Sequence, residues 1–230
     1  VTVSSLTTKA TLNLAQLKII QFAQTGGGAV AFSKASTVGT AAGSTSGEIE
    51  LSNDGNLIVG AGGVVSDGAS NIYIQTTSLG NIVLNGNVDA SRGDGAISLK
   101  SAGSISGTGA LISGSSGRLD DLTAGTGIDV KTQGLDFSPA NISTTTGNIL
   151  IENTTSIINL PTIAAPANLS IKAGGTISQA THNNIKDTIT VAGTASFNAV
   201  NGAIDLTSPT NNFSVAVSLT NTGNNSVAIV

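Results

Sequence analysis

A few side chains in this sequence are of types that do chemistry, and their spacing decides what each could do. Arg92-Gly93-Asp94 sets a guanidinium and a carboxylate around the residue type with the freest backbone. In an exposed turn that tripeptide could offer both charges to a receptor with a metal site, so Arg92, Gly93 and Asp94 are the receptor-binding candidates. The same residues equally suit a polar corner between strands, because Gly and Asp are ordinary turn formers. Asp120 and Asp121 follow Arg118 and invite a calcium reading. A calcium loop needs several oxygen ligands at fixed spacing. No Asp-x-Asp-x-Asp or Gly-Gly-x-Gly-x-Asp array is present, so solvated turn charges are expected. His182 is the only histidine and the chain has no Cys, which leaves no conventional zinc site. With no identifiable nucleophile nearby, His182 reads as an exposed loop residue in Thr181-His182-Asn183-Asn184.

Catalysis on polysaccharides would need more than this. Glycoside hydrolysis uses two carboxylates facing each other. Glu48, Glu50 and Glu152 are the only glutamates, and only Glu48 and Glu50 share a strand face. The two arginines lie far apart, and Tyr73 is the only Tyr or Trp on which a sugar could stack. No catalytic, cofactor-binding or metal-ligating residue is therefore assigned. A β-helical polysaccharide-degrading enzyme stands as a second alternative on fold analogy, which does not itself carry function. Ice binding would need a Thr-x-Thr row on every coil, and Thr188-Ile189-Thr190 is not repeated at the other coils.

The elements that must position these residues are strands. Of the 230 residues 39% are hydrophobic, nearly all aliphatic, and only 10% are charged, far below the roughly 25% of ordinary domains. Such a chain is too apolar for disorder. Helix formers are scarce, while Gly and β-branched residues abound. The best helical candidate, Leu12 to Gln24, is better read as buried strand. A net charge of −4 and the lack of a basic stripe argue against nucleic acid as partner. No apolar run is long enough to span a membrane as a helix.

Repeats give the architecture. Gly55-Asn56-Leu57-Ile58-Val59-Gly60-Ala61-Gly62-Gly63-Val64-Val65-Ser66 returns as a similar twelve residues from Gly95 and again from Ala167. Shorter copies open at Gly80-Asn81-Ile82, Gly127-Ile128, Gly147-Asn148-Ile149 and Gly202-Ala203-Ile204. In each, two aliphatics flank one usually polar residue, the period of a strand with one buried face. The spacing fits coils of roughly 20 to 24 residues in an all-β, right-handed parallel β-helix. About ten coils at roughly 4.8 Å each would make a rod near 50 Å long. Ile149, Leu169 and Ile189 step by 20 residues, which predicts a nearly constant coil there. Asn56, Asn81, Asn148 and Asn168 each precede the first inward aliphatic and are expected to stack as ladders. Ile58, Val83 and Leu150 point outward without an evident reason, and a lateral contact between rods is one expectation.

The Gly-Asn-Ile-x-Leu openings and the run Val88-Asp89-Ala90-Ser91-Arg92-Gly93-Asp94-Gly95-Ala96-Ile97-Ser98-Leu99 resemble the repeats of filamentous haemagglutinin-like exoproteins, the passengers of two-partner secretion. The stretch from Ile204-Asp205-Leu206 through Asn211-Asn212-Phe213 to Val215-Ala216-Val217-Ser218-Leu219 is similar too, with Asn212 where family members often carry Asp. The resemblance covers about residues 47 to 230, while 1–46 look less regular. It implies export to the extracellular space or outer cell surface, and a structural shaft in a large adhesive fibre. Implied partners are flanking coils of the same or a neighbouring chain, and possible host or cell-surface receptors or glycans. The lack of Asn-Pro motifs makes this shaft, not secretion domain. The chain is read as one continuous β-helix segment, 1–230, and the lack of any Met suggests that Val1 is not a native start and that the segment is either processed or cut from something longer. A self-assembling extracellular filament subunit is the first alternative.

Overall fold

A computed structural model describes the backbone of four strands before residue 46. From 48 to 230 it describes the whole chain except residues 67, 94, 115–116, 138–139 and 154–156. The described residues contain strands and turns but no helix. Alternation is the reason. Ile72–Thr77 and Leu169–Ala173, for example, bury every second side chain, so each strand has one apolar face to hide.

Stacking hides those faces. Leu57, Ile82, Ile105, Ile128, Ile149, Leu169, Ala195 and Val217 pair in parallel, each with the next. Those eight residues mark seven turns of a β-solenoid, about 34 Å of rise at roughly 4.8 Å per turn. A second column runs Leu51, Ile74, Leu99, Leu122, Ile142, Ile163, Ile189. We call the sheet carrying this column face one and the sheet of Leu57 face two. A third, shorter face joins from Ile158, through Ile177 and Ile204 to Val227. The aliphatic columns form one continuous core, in which Ile, Leu and Val are almost fully buried. Each such burial contributes about 1.5–3 kcal/mol. Phe197 sits in the face-two wall between Ile171 and Leu219, and meets Phe213 edge to face at 6.0 Å between ring centres.

The strand reading of Leu12 to Gln24 holds where described, at Leu12–Asn13 and Lys18–Thr25. Two expectations change. The twelve-residue repeats are not equivalent in space. Leu57 and Leu169 stand in the face-two column, but Ile97 stands on face one beside Ile72. The motif encodes strand, corner, strand, and the same corner chemistry serves different corners of one coil. Ile189 does not follow Leu169 either. Leu169 pairs with Ala195, and Ile189 pairs with Ile163. The coil length jumps there because an antiparallel hairpin, Thr181–His182 with Ile185–Lys186, is inserted. Bonds between equivalent corners accordingly span 20 residues before the hairpin and 26 across it.

Ile58 and Val83 are explained without a second rod. They are register partners on adjacent coils and half cover each other. Leu150 has only Asp129 and Ser170 beside it and stays 37% exposed.

Candidate functional site

Corners are where a solenoid must satisfy backbone groups that the ladders miss. Two sets of side chains do so here. From inside, Asn53 donates to the carbonyls of Gly55 and Asn56 at 3.1 and 2.8 Å. Thr76 donates to Gly80 O at 2.6 Å, Ser101 to Gly80 O at 2.8 Å, and Thr144 to Gly147 O at 2.7 Å. From outside, asparagine oxygens reach the next coil. Asn56 Oδ1 accepts the Asn81 N–H at 2.9 Å, and Asn81 Oδ1 accepts both the N–H and the hydroxyl of Ser104 at 2.7 and 2.9 Å. Asn148 Oδ1 accepts Asn168 N–H at 3.1 Å, and Asn168 Oδ1 accepts Thr194 N–H and hydroxyl at 2.9 and 3.0 Å.

The four expected asparagines therefore do form ladders. The link is side-chain oxygen to main-chain N–H, where stacked amides were the expectation. Gly103 and Gly193 complete the device, because a Cβ at either would strike the oxygen of Asn81 or Asn168. Asn71 and Asn87 work the same way on Ala96 and Ala110, at 2.8 and 2.9 Å. Sequence reading passed over both, although each also precedes an inward aliphatic, Ile72 and Val88.

The receptor-binding candidate is a turn. Arg92 is exposed in the turn at 91–93, and Asp94 lies outside the described residues. Gly93 is pressed against the coil before it, and a Cβ there would come within 2.5 Å of Ala69 Cα. Coil packing alone thus requires a glycine at 93. Asp120 bulges from its strand, because Ser98 pairs with Asp121 while Ile97 pairs with Leu119. Each carboxylate has its own cation, Arg118 on Asp120 at 2.7 Å and Lys100 on Asp121 at 3.0 Å. Among the described residues no three His, Cys, Asp or Glu converge as a metal site. Glu152 lies on face two and is bound by Lys172 at 2.7 Å, whereas Glu50 belongs to face one and Glu48 lies just before that strand.

His182 is not in a loop. It is a strand residue of the inserted hairpin, whose turn Asn183-Asn184 has φ of 50° and 64°. Two left-handed residues make the hairpin turn that matches strand twist, and Asn tolerates that backbone. His182 Nδ1 shares a hydrogen bond with Asp187 Oδ1 at 3.0 Å. Under the hairpin lies a polar network that the sequence did not announce. Gln179, 4% exposed, points into the core side and makes reciprocal amide bonds with Asn211 at 2.8 and 3.1 Å. It also donates to Asp187 O at 2.6 Å and accepts Ser208 N–H at 2.9 Å. Lys186 clamps Asp205 at 2.9 Å and binds Thr207. The Lys186 ammonium, then the Thr207 hydroxyl, hold the Asp205 carboxyl below its ordinary value. The inserted hairpin at 181–186 explains why periodicity missed it: Gln179 is inward by alternation, where an aliphatic was the default.

Among several hollows on the outer surface, one of about 310 Å³ lies on face one around Tyr73. Another, about 360 Å³, lies on face two between Asn87, Thr108 and Lys131. It marks a step in the coil outline. Thr108 and Gly109 form a corner there that the straight strand Gly127–Gln133 lacks.

Residues 146–220 match the family model described as repeats of unknown function (DUF5649). The matched span runs from the Gly147 corner into the Val217–Asn221 strand, so it covers the hairpin and the third-face strands at Ile158, Ile177 and Ile204 but not the one at Val227. No curated protein and no solved structure matches the chain. The match agrees with a β-helical repeat protein and says nothing of what the repeats do.

Proposed function

We propose that this chain is a non-catalytic shaft segment of a large secreted bacterial surface fibre, of the filamentous haemagglutinin-like kind, exposed outside the cell. One observation carries the reading. The parallel ladders pass from coil to coil without a break from Leu57 to Val217, so the described chain is nearly all stacking element. Its outer columns are mostly Ser, Thr and Asn with locally paired charges, for example Ser170, Ser196 and Ser218 in one row. A solenoid of this kind extends by adding coils, each contacting only its neighbours.

Electron microscopy of the purified chain tests the reading. Single rods of one fixed length are expected. Open-ended filaments that lengthen with concentration would favour a self-assembling subunit instead. Accessibility of the chain to antibody and protease on intact producing cells tests its place. Detection only after lysis would overturn export. Incubation with neutral and acidic polysaccharides tests catalysis, and any turnover lost on Glu50→Gln or Glu152→Gln would overturn the non-catalytic reading.

A further inference from the structure

We infer that the groove around Tyr73 is a saccharide-contact site that selects an amino sugar. The groove is built by register. Glu50, Tyr73 and Ser98 stand side by side on three successive coils of face one. Gln75 and Lys100 form the next row along the strands, and Glu48 closes the other end. Neighbours in such a grid are about 4.8 Å apart across strands and roughly 7 Å apart along them. Ser98 is the small member of its row, so the space beside the Tyr73 ring is open, about 310 Å³ in all.

Tyr73 is held in place. Its hydroxyl accepts a hydrogen bond from Asn71 Nδ2 at 2.8 Å, and Asn71 is itself fixed by accepting the Ala96 N–H. A fixed aromatic face suits the apolar face of a pyranose, and planar amide and carboxylate groups suit its hydroxyls. Gln75 presents such an amide, anchored by a bond from its Nε2 to Ser52 Oγ at 3.1 Å.

Charge narrows the sugar. Lys100 is already spent on Asp121, as Arg118 is on Asp120. Among the described residues Glu48 and Glu50 have no ion-pair partner. Among the described residues the groove thus sets two carboxylates without a cation of their own beside an aromatic ring, with Lys100 in its lining paired to Asp121. A uronic or sialic acid would be repelled, while a protonated amine on a sugar would meet both a carboxylate and a π face. Contact with a sugar at this groove requires neither export nor a fibre, so it stands or falls apart from the shaft reading.

Tyr73 is the one tyrosine and the chain has no Trp, so intrinsic tyrosine fluorescence reports this groove alone. Titration with a β-1,4-linked glucosamine hexamer at pH 6 should change that signal saturably, with roughly millimolar Kd. The N-acetylated hexamer and a galacturonate hexamer should bind at least ~10-fold more weakly. Calorimetry should show ~10-fold loss in Glu50→Gln and in Tyr73→Ala, with Tyr73→Phe close to the parent. Glu50 and Tyr73 both line the groove, so equal melting temperatures will confirm that the variants fold. No saturable signal, equal binding of the acetylated or acidic hexamer, or loss-free binding by the variants would each overturn the assignment. So would hexalysine binding as tightly as the sugar and surviving Tyr73→Ala, which would mark mere charge attraction.

Discussion

At the scale of the residue, the informative contacts are those that close corners. Asn81 and Asn168 each serve two donors of the following coil. Replacing either by Ala leaves an N–H and a hydroxyl without their partner, and should cost about 1–2 kcal/mol in denaturant unfolding, with faster amide exchange at Ser104 or Thr194. Loss-free replacement would show that water serves those donors equally well. Phe197 and Phe137 are the largest fully buried side chains among the described residues. Phe197→Ala empties a fully buried site between two coils and should cost about 3–5 kcal/mol. Much of this was legible in the sequence. The Asn-aliphatic dipeptides and the period-two strands mark Asn56, Asn81, Asn148 and Asn168 of the ladders and the inward columns. What was not legible is where a polar side chain replaces an inward aliphatic. Gln179 follows the alternation of its strand and differs only in chemistry, and its partners Asn211 and Ser208 lie 32 and 29 residues away.

At the scale of the element, the hairpin at 181–186 departs from plain coiling. Its turn holds two left-handed asparagines. Asn184→Gly should raise stability by about 0.5 kcal/mol, since Asn-Gly fits this turn best, while Asn183→Ala with Asn184→Ala should lower it by ~1–2 kcal/mol. Thermal unfolding decides between them. The hairpin is tied down by Lys186 to Asp205, and that tie has a pH signature. A carboxyl whose folded value lies below its unfolded one stabilises above the unfolded value, and loses that contribution as pH falls through the folded value. Asp205 is half exposed, so the effect is screened and small. Acidification from neutral pH to below pH 3 should therefore lower the melting temperature more in the parent than in Asp205→Asn, and Lys186→Met should behave like Asp205→Asn. Equal acid sensitivity in all three would remove Asp205 from the account. The 20-residue period that placed Ile189 above Leu169 failed for the same element. Six inserted residues leave the strands on either side intact, so aliphatic spacing alone cannot tell a longer coil from a shifted face.

At the scale of the whole molecule, the chain is one core drawn out along an axis. Its outline changes on the way. Early coils turn face two through an extra glycine corner, and later coils run straight and gain a third face. The twelve-residue motif survives this change because it specifies a corner and its two strands, and is indifferent to which faces they join. That indifference explains both why the fold could be read from the repeats and why their alignment to one another could not. It also suits a shaft, whose length depends on the number of coils and whose surface can vary locally, as it does around Tyr73. The central claim is the register of the stack, and inter-coil disulfides test it directly, because the chain has no Cys of its own. Outward neighbours in parallel register stand at a separation that a disulfide spans. Leu150→Cys with Ser170→Cys, and Ser170→Cys with Ser196→Cys, should each oxidise readily to an intrachain bond in the folded protein. Ser170→Cys with Thr190→Cys, which a constant 20-residue coil would align, should not, because Thr190 pairs with Ala164 on face one. Oxidation of that third pair in place of the second would contradict the stack described.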